Sequence, residues 1–452
     1  MRGTGLVLGG GGSRGAYEIG VWRAARELGV EFDVVTGTSI GALNGALVVQ
    51  GDYDFAVDMW EHMDYQAVMS HLSSEDFETA EGTRRAFKTA LREIVADGGM
   101  EIGPLEELVR THLDEEKIRS SPKKFGIVTV EIPSLRAVEM AKEQIPEGQM
   151  ADYLLASAAC YPAFKPRTID GKSYVDGGYR DNLPIDLAIE LGVSEVWAVD
   201  LKALGHVPER LLYDIPVRYI RSYWDLGIFL TFDPARIRRN MELGYLDALK
   251  TLGRLDGLAY ALKEGEMRRL CSAFLTPSQE AVRALTTAET ALGAPAAAAL
   301  ELRLSAAMRW GSRRRGTPAA DLVRQLELAA ELLEVDPARA YTLSELNDAI
   351  IRRYAGEGGH PLELEQNLRR VHETPSAAAE LFERIRALTA RERLHAVTRL
   401  VYAGLGGTAP LPAVQLAGAA FPRETAAAVY LCLLGCGGLS AGEEVLRPAP
   451  GC

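Results

Sequence analysis

Two glycine-rich turns set the strongest limit on how this chain can fold. Gly9-Gly10-Gly11-Gly12-Ser13-Arg14-Gly15 follows a short apolar run at residues 5–8, and Gly37-Thr38-Ser39-Ile40-Gly41 follows a second run at residues 32–35. A helical pattern comes after each turn. Residues 16–28 carry Ile19, Val21, Trp22, Ala25 and Leu28 near the helical period, and residues 40–49 read as a small-residue helix suited to close packing. Strand, glycine turn and helix, twice in succession, demand a sheet with crossover helices.

The alternation continues to about residue 255. Further strands are expected at 125–130, 137–140, 195–199 and 217–220, with helices at 150–159 and 183–191. Asp170-Gly171, set between the short apolar arms of residues 168–175, signals a hairpin of the type I′ kind. A long helical insertion, residues 75–113, separates the two halves of this domain. Beyond residue 257 the strand signal fades and Ala, Leu, Glu and Arg dominate, as in 296–310, 322–333, 380–388 and 426–434. Thr342-Leu-Ser-Glu345 fits a capping box, and Thr374-Pro375 places a cap before a first-turn proline. The expected organisation is an α/β domain over 1–255 and an all-α region over 256–452, without an internal repeat.

With 452 residues the chain exceeds what one core usually supports. Its 47% hydrophobic and 25% charged residues are those of an ordinary globular protein. The net charge of -12 repels nucleic acid and anionic lipid at long range. The best basic run, Arg313 to Arg315, sits between glycines and reads as a solvated loop. Five cysteines, an odd and scattered set, make no disulfide or zinc framework and fit the reducing cytoplasm. Cys432 and Cys436, one helical turn apart, are expected to pack. The apolar start is too short for a signal-peptide core, and no run approaches the ~20 residues of a membrane-spanning helix. Membrane contact is therefore expected to be peripheral.

Gly37 to Gly41 carries the clearest chemistry. A serine between strand and helix takes a strained backbone conformation, the glycines leave room for it, and its oxygen stands at a helix N-terminus that favours developing negative charge. Upstream, the glycines of the Gly9 to Gly15 turn let several amides converge on one point, as an oxyanion hole requires. Gly10, Gly12 and Gly15 also match a dinucleotide fingerprint, but that fold wants an acidic residue at the end of its second strand, whereas Asp33 stands at the beginning. Two bases are open to Ser39. His206 follows a strand end in a loop and would complete a Ser39, Asp176, His206 triad; His62, His71 and His112 lie in or beside charged helical segments. Asp176, in Tyr174-Val-Asp-Gly-Gly-Tyr179, could instead act directly if burial raised its pKa.

Taken together, these segments resemble the patatin-like phospholipases. Gly10-Gly-Gly-Ser-Arg-Gly15, Gly37-Thr-Ser-Ile-Gly41 and Asp176-Gly-Gly178 occur in that family's order, with Ala156-Ser-Ala-Ala-Cys-Tyr-Pro162 and Asp181-Asn-Leu-Pro184 as further similarity. The first motif begins with Gly9 where some relatives have an acidic residue, which suggests the bacterial-type subgroup. The resemblance covers roughly the first 255 residues and implies a three-layer α/β/α domain with a mainly parallel sheet. It implies a dyad without histidine, with Ser39 as nucleophile and Asp176 as base. Gly10, Gly11 and Gly12 would donate amides, and Arg14 would order the loop. The expected reaction is hydrolysis of phospholipid, lysophospholipid or another acyl ester, with no cofactor and no metal, calcium included. A phosphate-binding module built on Gly10 to Gly15, or an idle scaffold whose helical half binds a partner, are the rival readings.

Overall fold

The computed structural model describes residues 3–64, 102–208, 213–287, 294–308, 317–356, 383–409 and 411–436. The chain divides into two compact units, Met1–Gly253 and Arg254–Cys452. His71, Arg313 to Arg315, Thr374-Pro375, Cys452 and most of the expected 75–113 insertion lie outside the described residues.

In chain order the first unit contains β1 (Thr4–Leu8), α1 (Ala16–Glu27), β2 (Val34–Thr38), α2 (Ile40–Gln50), α3 (Tyr53–Glu61), α4 (Gly103–His112), α5 (Glu115–Ser120), β3 (Lys124–Ile132) and β4 (Arg136–Ala141). There follow α6 (Met150–Ser157), β5 (Arg167–Ile169), β6 (Lys172–Asp176), α7 (Ile185–Glu190), β7 (Glu195–Val199), β8 (Val217–Ile220) and α8 (Pro234–Thr251). The strands form one sheet in the order β5-β6-β3-β2-β1-β7-β8, with β4 also on β3. From β3 to β8 every neighbour is parallel; β4, β5 and β6 are antiparallel additions.

Side-chain alternation along the strands explains the layers. Leu8, Val35 and Phe125 face α2, where Gly45 lets the helix lie close to them. Their neighbours Val7, Val34, Val196 and Ala198 face the other way and form a core with Leu183, Ile185 and Ala188 of the α7 segment. Helices therefore cover both faces, as a parallel sheet buried on each side requires.

Local signals translate closely. Asp170 and Gly171 take φ of 48° and 75°, the paired positive values of a type I′ turn joining β5 to β6. Two boundaries move. β2 runs to Thr38, three residues beyond the apolar run, because Gly37 and Thr38 continue the ladder with β3. α7 starts at Ile185 instead of 183, since Leu183 precedes a proline and is kept out of the helical region.

The second unit is mainly helical among its described residues, with helices that include Glu266–Thr286, Ala294–Ala307, Pro318–Leu332, Leu343–Ala355, Ala390–Leu405 and Pro422–Leu433. Thr342 and Glu345 make the expected capping box. The all-α expectation needs one correction: Ala261–Leu262 and Ala340–Tyr341 pair as a short parallel bridge. A second correction concerns Cys432 and Cys436, because the helix ends at Leu433 and Gly435, with φ of 81°, turns the chain before the buried Cys436.

Candidate active site

Ser39 is the single residue between β2 and α2, and its φ of 58° and ψ of −126° lie where a side chain is strained. The flanking glycines have steric reasons. A Cβ on Gly37 would strike the Gly41 carbonyl, and one on Gly41 would strike the Leu8 carbonyl. The strained peptide is held from outside: the Ser39 amide donates to Ser157 Oγ at 2.9 Å, and that hydroxyl donates to the Val128 carbonyl at 2.6 Å. Ser157, fully buried at the end of α6, thus ties the elbow to β3. Ser157→Ala should leave the Ser39 amide without its acceptor and cost about 1–3 kcal/mol. Thermal unfolding should fall by several degrees and fluorophosphonate capture should slow; an unchanged melt and an unchanged rate would contradict this role.

β3 also brings the carboxylate. Thr38 pairs with Val128, and Asp176, the last residue of β6, pairs with the adjacent Thr129. Ser39 and Asp176 therefore emerge side by side although 137 positions separate them. The Asp176 carboxylate is buried and takes the Gly178 amide at 2.7 Å. Burial raises its pKa from 3.8 to about 6, opposed by the nearby Ser39 hydroxyl and the Gly178 amide, which favour the ionised form.

The glycine loop closes the third side. Ser13 N–H donates to the Phe229 carbonyl at 2.7 Å, and Arg14 reaches the Gly227 carbonyl with Nε at 2.7 Å. One Arg14 terminal nitrogen donates to the Leu201 and Lys202 carbonyls at 3.2 and 2.8 Å. Arg14 fastens the loop by these carbonyl bonds and does not line the cavity. Gly10, Gly11 and Gly12 border Ser39, but their amides are not equivalent. Gly10 N–H already donates to the Asn182 carbonyl at 3.1 Å. The amides of Gly11 and Gly12 have no acceptor among the described residues. Asp33 lies at the opposite end of β2, where its carboxylate takes the Thr4 amide at 2.9 Å, so it does not face the loop as a ribose partner would.

Ser39, Asp176 and the loop open into a cavity of about 520 Å³ whose other walls include Leu43, Trp60, Met63, Phe164, Phe229 and Phe232. His206 also borders it, while the Asp176 carboxylate takes the Gly178 amide. His62 is exposed beside Asp58, and His112 stacks on Phe55 with ring centroids 4.3 Å apart. Sequence reasoning assigned no role to Ser157 or Asn182; both stand in the two similarity segments, which carried no local chemical signal of their own.

A strained serine elbow, a buried carboxylate and a glycine loop thus border one cavity of an α/β domain. Residues 6–189 match the patatin-like phospholipase family model. The lysophospholipase NTE1 of Mycosarcoma maydis is 29% identical over 46% of this chain and 10% of that protein. Patatin-like phospholipase domain-containing protein 7 of Mus musculus is 31% identical over 43% of this chain and 13% of its own length. The chain thus spans about a tenth of the curated relatives it matches. Overlay on the solved structure of VipD from Legionella pneumophila gives a TM-score of 0.34 at 14% identity over 98% of this chain and 94% of that one, too low to bear on the site.

Proposed function

We propose that the protein is a lipid acyl hydrolase that cleaves fatty acyl esters of phospholipids or lysophospholipids through Ser39 and Asp176. What supports this reading is the register of β3, which sets Ser39 beside the buried carboxylate of Asp176 in the wall of an apolar cavity. Asp176 takes the serine proton as Oγ attacks the ester carbonyl, and the neutral acid then protonates the departing alkoxide. The free Gly11 and Gly12 amides, together with the N-terminus of α2, meet the oxyanion. Water, deprotonated by Asp176, releases the fatty acid and restores the serine.

The cavity's walls suit an acyl chain, since apolar burial is worth roughly 25 cal/mol per Å² of surface. Contact with lipid is peripheral in this reading. No helix among the described residues is long and apolar enough to cross a membrane, whereas Leu204 at the cavity edge is 91% exposed and Ile228, next to Phe229, 66%. The acidic net charge disfavours nucleic acid and, with the cysteine pattern, fits a cytoplasmic protein.

Fluorophosphonate labelling of one sample, with product analysis from phospholipid, lysophospholipid and triglyceride on a separate untreated sample, tests the reading. Labelling confined to Ser39 and release of free fatty acid are expected; no labelling and no release would refute it. His206→Ala should keep turnover within about threefold of wild type, because the dyad leaves the imidazole no proton to carry. A ~100-fold loss there would restore the triad.

A further inference from the structure

We propose that Asn182 is the positioning residue that sets the direction of the oxyanion-binding amides, its carboxamide filling a slot left open by three glycines on three separate loops. The slot itself is a matter of packing; its catalytic meaning rests on the reading of Ser39 and Asp176 given above.

The three glycines are Gly10 in the glycine loop, Gly178 after Asp176, and Gly205 in the loop that follows β7. None has a backbone angle in the left-handed region, so backbone freedom does not explain them. Asn182 does. A Cβ built on Gly10 would collide with Asn182 Oδ1, one on Gly178 would lie 2.7 Å from the same atom, and one on Gly205 would lie 2.7 Å from Asn182 Cγ and 2.8 Å from its Cβ. The side chain is 5% exposed and borders the cavity beside Ser39 and Asp176.

Hydrogen bonds turn this packing into a clamp. The Asn182 carbonyl takes the Gly10 amide at 3.1 Å, while Asn182 Nδ2 donates to the Gly10 carbonyl at 3.3 Å. Asn182 N–H donates to the His206 carbonyl, and His206 N–H donates to the Gly178 carbonyl, both at 2.7 Å. Asn182 therefore holds Gly10 on both sides, and the His206 backbone joins it to the Gly178 segment. The Gly10–Gly11 peptide is trans, so its carbonyl and the Gly11 N–H point in opposite directions in one plane. Fixing the Gly10 carbonyl on Asn182 Nδ2 consequently aims the Gly11 N–H, one of the two amides with no acceptor, away from Asn182. A neutral donor is required. A carboxylate of the same shape would repel the Gly10 carbonyl and set a negative charge beside the developing oxyanion.

Asn182→Asp and Asn182→Ala are the test, read on a soluble acyl ester and on fluorophosphonate capture. Misaimed donors weaken only the transition state, so kcat should fall roughly 10–100-fold, with the capture rate falling alongside. KM should stay within about twofold. A change in KM alone, or an unchanged kcat, overturns the positioning role. A second measurement does not depend on turnover. Gly10→Ala and Gly205→Ala should each lower the unfolding temperature in the wild-type background and do so much less in the Asn182→Ala background, where the slot is empty. Additive losses overturn the slot. If the wild-type protein hydrolyses no acyl ester and captures no fluorophosphonate, the functional reading fails while this stability cycle still decides whether Asn182 organises the three glycines.

Discussion

Ser39→Ala is expected to reduce acyl-ester turnover by about 10³-fold or more and to abolish fluorophosphonate labelling, because the elbow's other hydroxyl, on Thr38, is buried and donates to the Asp181 carbonyl at 2.8 Å. The loss should appear in kcat, since Oγ forms its new bond only after the substrate is seated. The same position separates chemistry from strain. With φ of 58° and ψ of −126°, any residue with a Cβ is strained there, so Ser39→Ala keeps the penalty and Ser39→Gly releases it. Strain of this kind amounts to on the order of 1–3 kcal/mol. Ser39→Gly should therefore be as inactive as Ser39→Ala but unfold at a higher temperature. Equal melting of the two variants would show that the elbow stores no strain, and turnover near the wild-type rate in either would remove Ser39 from the mechanism.

Asp176→Asn should carry the second-largest effect, a loss of about 10²–10⁴-fold, the usual worth of a positioned general base. Its pH signature follows from burial. With the carboxyl raised to about 6, only the ionised form can accept the serine proton, so kcat/KM should climb as pH rises through 6 and level off above it. The stability effect has the opposite direction. A carboxyl whose folded pKa lies above its ordinary 3.8 favours the folded state below that value and loses the benefit as pH rises toward 6. At pH 7 the native protein thus holds a buried charge that the asparagine variant lacks. Asp176→Asn is expected to gain on the order of 2–3 kcal/mol at pH 7 and almost nothing near pH 3.5. Urea titrations of both proteins at the two pH values measure this difference; a variant equally or less stable at pH 7 would show that the carboxylate is not destabilised by burial.

The residues that are inactive but stabilising in these experiments lie at one place, the carboxyl ends of β2 and β6. Backbone strain at Ser39 and desolvation at Asp176 each lower stability locally, and the remainder of the sheet, buried on both faces, carries that cost. Ser157 and Asn182 explain how the strained geometry persists. One satisfies the elbow amide, and the other fixes the peptide that precedes the free Gly11 amide.

The sequence by itself determined what depends on near neighbours. The two glycine turns, the helices after them, the Asp170-Gly171 hairpin and the Thr342 capping box are set by contacts within a few residues, where steric rules act directly. Gly37 and Gly41 were legible for that reason, because the clashes they avoid come from the strand and helix they join, and from β1 alongside. Where local rules competed, boundaries slipped: Pro184 shortened α7, and pairing with β3 lengthened β2. Only the tertiary structure decided which distant residues share the site. Residues alone left Asp176 and His206 both open as the base. In the fold, successive residues Val128 and Thr129 of β3 hold Thr38 and Asp176 and so bring Ser39 to the carboxylate, which supports Asp176 as the proposed base. No local pattern encodes that register, nor that Gly10 gives its amide to a carbonyl 172 positions away, because both follow from how the whole sheet closes.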